Sequence, residues 1–77
     1  IETHAARGLA AGRELGVNPP RGNPIGGAIA LGHPVWQSGA IIKIETMYGL
    51  ERTSAKRALI TMCIGGGQGI ALSIERI

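Results

Sequence analysis

The sequence predicts an α/β fold in which a helix, a short strand, a second helix and a β-hairpin follow one another. The prediction of the hairpin is based on two observations. Ile, Leu and Ile alternate with Ala, Ser and Glu in residues 69–77, which is the period of a half-buried strand. A Gly-Gly-Gly-Gln link at 65–68 separates that segment from the apolar run 58–64, and such a link favours a tight antiparallel connection. We therefore expect strands at 58–64 and 69–77.

The first helix is predicted over residues 2–15, where Ala and Leu form a weak apolar stripe among charged neighbours. Gly16 and the proline pair at 19–20 supply its stop. Gly8 and Gly12 each cost such a helix about 0.5–1 kcal/mol relative to alanine. These glycines indicate either close packing against a neighbour or a helix that is stable only in a larger context.

The segment 19–39 predicts a shaped loop, because it contains four prolines and five glycines, with room for a short strand near Ile25. Ser38 is expected to cap a second helix that runs to about Tyr48. The β-branched run at 41–44 is equally compatible with a strand. We favour the helix, partly on the family resemblance described below.

Length and composition predict a part of something larger. The 77 residues can form one small domain, and an aromatic content of 3% leaves few large side chains to anchor a core. The chain opens at Ile1 without an initiator methionine and inside the predicted helix, which indicates truncation or processing. The single cysteine, Cys63, excludes an internal disulfide, and the histidines add too few ligands for a structural zinc site.

The net charge is +3, and the eight basic residues are scattered along the chain, except that Arg52, Lys56 and Arg57 lie close together. This pattern favours a solvated surface over a nucleic-acid interface, which usually has a dense basic stripe or aromatic stacking positions. No apolar run approaches the roughly 18 residues that a membrane span needs. We expect a soluble protein in a reducing intracellular compartment.

Two glycine-rich segments carry the side chains best suited to proton transfer. The first, at 26–34, reads Gly-Gly-Ala-Ile-Ala-Leu-Gly-His-Pro and contains His33; the second, at 63–69, reads Cys-Ile-Gly-Gly-Gly-Gln-Gly and begins with Cys63. Glycine lets backbone N–H groups approach a ligand and point at an oxyanion while a His or Cys works beside them. From these residues alone, a buried structural thiol and an exposed loop histidine are the commoner interpretations. The glycine spacing fits neither a dinucleotide fingerprint nor a phosphate loop.

Together with Ser38-Gly39-Ala40 and Glu75, these segments resemble the last two signature blocks of the thiolases, which are acyl-CoA:CoA acyltransferases. His33 and Cys63 lie 30 positions apart, which matches the layout of that family without a gap. The resemblance implies that residues 1–77 are a partial thiolase-like C-terminal domain.

The resemblance also implies roles in a two-step acyl transfer. A nucleophilic cysteine from the N-terminal half, which is not in this chain, would take the acyl group. His33 would deprotonate that thiol and help to bind the thioester oxygen. Cys63 would be the acid and base at the α-carbon of the acetyl unit, and the N–H of Gly65 would help to stabilise an enolate or tetrahedral oxyanion. We expect the imidazole and the thiol to face one cavity.

In a complete enzyme the implied reaction is thiolysis of 3-ketoacyl-CoA or condensation of two acetyl-CoA units. Coenzyme A thioesters would be the substrates, with no bound cofactor, and the partners would be the N-terminal thiolase half and further copies of the chain. An alternative is a non-catalytic thiolase-like remnant that serves in acyl-CoA binding or assembly. A small basic binding module unrelated to coenzyme A is a third hypothesis. A reactive cysteine upstream would separate the first two, and a coenzyme A pull-down would exclude the third.

Three positions depart from the family pattern. Ile1 stands where the family has the Asn of an Asn-Glu-Ala-Phe block, and that Asn orients a water in an oxyanion hole. Trp36 lies in a link that the family keeps small and rich in glycine. Ile41 follows Ser38-Gly39-Ala40, where an arginine is common.

We predict that Ile1→Asn raises the turnover of a full-length protein carrying this segment by at least about tenfold. Isoleucine has no polar atom to hold the water, and one missing oxyanion-hole donor typically costs about 100- to 1000-fold in turnover. The measurement is the rate at saturating substrate for both proteins. Equal rates, with a water already ordered beside His33, would show that another group has taken over this role.

Overall fold

The computed structural model describes residues 4–34 and 36–77, so the prediction that concerns Ile1 and the predicted helix start at residue 2 lie outside the described residues. Helices and a two-stranded antiparallel sheet are both present, which confirms the predicted α/β class. Among the described residues, no helix has the length and apolar character that crossing a membrane requires. The elements are helix α1 (Ala5–Leu15), a 3-10 turn (Pro19–Arg21), helices α2 (Gly27–Leu31) and α3 (Ser38–Thr53), and strands β1 (Arg57–Gly65) and β2 (Gln68–Glu75).

Helix α1 ends where the sequence predicts. Gly16 adopts the left-handed conformation, and its N–H donates to the carbonyl of Arg13. No residue of α1 is buried, and Leu9 and Leu15 are 71% and 76% exposed. A Cβ added at Gly8 would meet nothing within 4 Å. The same holds at Gly12, so the described part of the chain supplies no close packing at either glycine.

The predicted short strand near Ile25 is wrong. Pro24 and Ile25 form a turn, and Gly26 then starts helix α2 with a φ of +91°. Pro24 has no N–H to give to a strand ladder, and the following Ala-Ile-Ala-Leu run completes one helical turn instead. The loop prediction for 19–39 also needs correction, because it contains both the 3-10 turn and α2.

Helix α3 resolves the ambiguity at 41–44 in favour of the helix, and it continues past the predicted end at Tyr48 to Thr53. The predicted cap is wrong: Gln37 occupies the N-cap position, and Ser38 is the first residue of the helix. Further along, the Thr46 hydroxyl donates to the carbonyl four residues earlier, at 2.6 Å, which is a common way for threonine to be accommodated in a helix.

Strands β1 and β2 pair as the predicted hairpin, with ends that differ by one or two residues from those predicted. Ile60 lies opposite Leu72, and Met62 lies opposite Ile70. Gly66 and Gly67 form the two-residue connection with φ values of +58° and +76°. Positive φ at both positions is the geometry that matches the twist of paired strands, and it explains why glycine occupies both.

One face of the hairpin packs against α3, and the core lies between them. Among the described residues, the buried hydrophobic side chains are Leu50 at 6% and Ile60 at 9% exposure. Ile70 and Leu72 line the same interface but keep 57% and 46% of their surface exposed, so the predicted half-burial of β2 is only partly correct. The reason is that a single helix covers this face. The interface leaves an apolar cleft of about 150 Å³, lined by Gly39, Ile42, Ile60, Met62, Ile70 and Leu72.

We predict that Gly26→Ala lowers the free energy of unfolding by about 2 kcal/mol. The new Cβ would lie 2.7 Å from the Cβ of Ala30, and the backbone at φ +91° disfavours any side chain. Urea unfolding measures the change. The matched control is Gly22→Ala in the same loop, where φ is −94° and the nearest atom would be 3.7 Å away. Similar losses for the two variants would contradict the argument.

Candidate active site

His33 lies in the connection between α2 and α3, outside both helices, and its side chain is exposed. Helix α2 ends at Leu31, and the N–H of Gly32 donates to the carbonyl of Ala28 at 2.9 Å. This short helix directs the chain into the His33–Pro34 segment. The Pro34 carbonyl in turn accepts hydrogen bonds from the N–H of Gln37 at 2.8 Å and of Ser38 at 3.0 Å. The histidine is therefore held between two hydrogen-bonded turns.

The imidazole of His33 contacts the side chain of Ser38. Its Nδ1 lies 2.6 Å from the Ser38 Oγ, and the same Oγ lies 3.1 Å from the Pro34 carbonyl oxygen, to which it can donate. Ser38 is 2% exposed and is the buried polar side chain among the described residues. A hydroxyl buried to this extent requires partners inside the protein, and these two contacts provide them.

Cys63 lies near the end of β1 and is half-buried. It pairs with Gly69, while its neighbour Met62 lies on the face that packs against α3. Because successive side chains of a strand point to opposite faces, the thiol lies on the face of the hairpin away from α3.

Gly65 follows Cys63 by two residues and closes the hairpin opposite Gln68. The pairing slips between Cys63 and Gly65, so that the strand carries a β-bulge immediately after the cysteine. Gly65 has a φ of +114°, which belongs to the region that favours glycine. The bulge redirects the backbone at the position where the resemblance assigns an oxyanion donor.

The packing of α3 on β1 brings the two glycine-rich segments to the same end of the fold. A Cβ placed on Gly39 would lie 3.7 Å from the Sδ of Met62, so the first turn of α3 adjoins the residue next to Cys63. His33 is tied to that turn through Ser38. The approach of the imidazole and the thiol to one cavity stays a prediction, and so does the oxyanion role of Gly65.

Two clefts beside α3 have no predicted site residue in their lining. The cleft under α3 is apolar, and a second one of about 300 Å³ lies on the outer side of α3 beside Ile44, Met47, Tyr48 and Glu51. In residues 4–34 and 36–77, no group of three His, Cys, Asp or Glu side chains is placed to hold a metal ion. Among the predicted site residues, the side chains suited to proton transfer are an imidazole and a thiol.

Sequence reasoning missed the contact between Ser38 and His33. The sequence pattern pointed to Ser38 as a helix cap, which is the usual role of a serine before an apolar helix. The contact joins residues five positions apart, and it accompanies the turn in which the N–H groups of Gln37 and Ser38 donate to the Pro34 carbonyl. No periodicity in the sequence reports such a contact.

The sequence of this chain is closely similar to parts of known enzymes. A family model described as "Thiolase, C-terminal domain" matches residues 1–76. Beta-ketoadipyl-CoA thiolase of Pseudomonas putida is 51% identical over 78 residues, which cover 99% of this chain and 20% of that protein. Acetyl-CoA acetyltransferase of Pseudomonas aeruginosa is 51% identical over 75 residues, covering 97% and 19%. Beta-ketothiolase BktB of Cupriavidus necator is 47% identical over 76 residues, covering 99% and 19%.

These comparisons confirm the resemblance found in the sequence. The chain spans about one fifth of the length of the curated relatives it matches. No solved structure gives a significant match. Since the family model covers nearly every residue and includes both glycine-rich segments, the chain belongs to the thiolase family and corresponds to its C-terminal domain.

Proposed function

We propose that this chain is the C-terminal part of an acyltransferase that moves acyl groups between acyl-CoA thioesters and coenzyme A. The reaction is thiolysis of a 3-ketoacyl-CoA or condensation of two acetyl-CoA units. The observation that carries the proposal is the family match over residues 1–76, which includes His33 and Cys63 within their glycine-rich segments. The names of the relatives, thiolases and an acetyl-CoA acetyltransferase, support the same reaction class.

In the proposed reaction, His33 takes the proton from a nucleophilic cysteine of the N-terminal half. A base must come within hydrogen-bond reach of the proton that it removes, so the ring has to be accessible to that half. The exposure of His33 supports this role. The contact of Nδ1 with Ser38 supports it as well, because it engages one ring nitrogen and leaves Nε2 for the transfer.

Cys63 acts at the α-carbon of the acetyl unit. In thiolysis the bond between the α- and β-carbons breaks, its electron pair passes to the α-carbon as an enolate, and the Cys63 thiol supplies the proton. Condensation reverses these steps. Cys63 is half-buried, so part of the residue stays accessible to a bound substrate. The Gly65 N–H, next to the bulge, is the proposed donor to the oxyanion.

The nucleophile belongs to the N-terminal half of the enzyme, which packs against the exposed apolar side chains of this domain. Trp36 is 97% exposed, and α1 buries none of its residues within the described chain. Large exposed apolar groups of this kind typically mark an interaction surface. The complete protein is proposed to act as a homo-oligomer in a reducing intracellular compartment, with coenzyme A thioesters as substrates and without a bound cofactor.

We predict that two substitutions divide the reaction of the full-length protein into its two stages. His33→Asn should lower the rate at which radiolabelled acetyl-CoA acetylates the enzyme by about 100-fold or more, because the nucleophile loses its base. Cys63→Ala should retain this acetylation and lose condensation and thiolysis by a similar factor. Counting the label on precipitated protein measures acetylation. Thin-layer chromatography of the labelled product measures condensation and thiolysis.

The matched control is Thr61→Ser, two residues from Cys63 and on the same face of β1, which should leave both stages unchanged. Loss of acetylation in Cys63→Ala would contradict the assignment of roles. A full-length protein that binds coenzyme A but forms no acetyl-enzyme would support the non-catalytic remnant instead.

We predict no thiolysis of acetoacetyl-CoA by the isolated 77-residue chain, because it lacks the acyl-accepting cysteine. The loss of substrate absorbance on addition of coenzyme A measures the rate. Addition of the N-terminal half should restore turnover. Turnover by the isolated chain that disappears in Cys63→Ser would mean that Cys63 is itself the nucleophile.

A further inference from the structure

We infer that Ser38 is a positioning residue that fixes the tautomer of His33, with Nδ1 protonated and Nε2 left as the basic nitrogen. This inference rests on the proposed function, because it concerns how His33 is prepared for its role as a base. It starts from one geometric observation: the Ser38 Oγ lies 2.6 Å from Nδ1 and 3.1 Å from the Pro34 carbonyl oxygen.

The direction of the two hydrogen bonds follows from the donors available. A serine hydroxyl has one hydrogen and two lone pairs, whereas a carbonyl oxygen can only accept. If the hydroxyl donates to the Pro34 carbonyl, its lone pairs can accept the proton on Nδ1 of His33, and both contacts become hydrogen bonds. If the hydroxyl donates to Nδ1 instead, two oxygen acceptors face each other at 3.1 Å.

Burial makes the second arrangement unfavourable. Ser38 is 2% exposed, so water has little access to compensate a contact between two acceptors. In the first arrangement the hydroxyl donates one hydrogen bond and accepts one, both inside the protein. Nδ1–H therefore donates to the Ser38 Oγ, and the Ser38 hydroxyl donates to the Pro34 carbonyl.

The Pro34 carbonyl, at which this series of hydrogen bonds ends, is held in place by the backbone. The Pro34 carbonyl also accepts the N–H groups of Gln37 and Ser38, which form the turn that starts α3. The orientation of the imidazole is thus tied to the start of a helix of 16 residues that packs on the hairpin carrying Cys63. With Nδ1 held, the same ring orientation serves both stages: neutral Nε2 accepts a proton, and the resulting imidazolium donates from Nε2 while Nδ1–H keeps its partner.

The first test is the tautomer of His33 in the full-length protein labelled with 15N-histidine. Spectra recorded at alkaline pH, where a model imidazole is neutral, distinguish protonated from unprotonated ring nitrogens. His33→Asn identifies the signals of this residue by their loss. We expect a protonated Nδ1 and an unprotonated Nε2. A proton on Nε2, or a mixture of tautomers like that of free imidazole, would overturn the inference.

The second test compares Ser38→Ala with Ser38→Thr. We expect Ser38→Ala to give a mixture of His33 tautomers and to lower kcat for acetyl transfer by about tenfold with little change in KM, since one orienting hydrogen bond is lost. Ser38→Thr keeps the hydroxyl and should restore both the tautomer and most of the rate. The matched control is Ser73→Ala on the exposed strand β2, which should change neither.

The fold is expected to tolerate Ser38→Ala, because the Pro34 carbonyl keeps its two backbone donors and the exposed ring can bind water. An unchanged tautomer and an unchanged kcat in Ser38→Ala would refute the inference. If either variant at position 38 fails to fold, the tautomer in the unsubstituted protein decides. That spectrum also separates this inference from the proposed function: it reports the role of Ser38 even if the protein proves to have no thiolase activity.

Discussion

The packing of α3 against one face of the hairpin is the interaction on which the rest of the structure depends. It buries Leu50 and Ile60, the hydrophobic residues with the least exposure among those described. Because α3 returns through a short turn into β1, the two run in opposite directions, and the start of the helix lies beside the end of the strand. This antiparallel arrangement brings the His33 segment and the Cys63 segment to one end of the molecule, although 30 residues separate them along the chain. By contrast, the Arg57–Glu75 ion pair at the other end of the hairpin is well exposed and contributes little.

The elements that could be predicted from the sequence are those with local causes. The hairpin followed from a period of two residues and from glycines suited to a positive φ, and its existence is confirmed. The choice of helix at 41–44 could not be made from local preference alone, since β-branched residues favour strands and the packing of the whole helix outweighs them. The predicted short strand near Ile25 is wrong because a proline, which has no N–H to donate, occupies the preceding position, and no strand of the described residues pairs with this segment.

The family to which the candidate site points was predictable from the sequence, whereas the geometry of the site was not. His33, Cys63 and Gly65 came from the match of two long motifs to a family pattern, and that family is confirmed. The position of the thiol on the face away from α3, the bulge after it and the hydrogen bonds of Ser38 depend on how the chain turns between elements. Such turns are set by interactions across several residues that no single pattern encodes. Trp36 is 97% exposed, and we propose above that this surface packs against the N-terminal half of a complete thiolase.

The tip of the hairpin reverses the usual relation between exposure and tolerance of sequence change. Gly65, Gly66 and Gly67 are exposed, and a Cβ on any of them would meet no atom within 4 Å. All three nevertheless have positive φ, where a side chain costs roughly 1–2 kcal/mol for most residue types. Substitutions here are opposed by the backbone and not by crowding. If these glycines prove invariant among natural variants, that invariance would follow from the shape of the turn alone and would not by itself be evidence that the Gly65 N–H takes part in the chemistry.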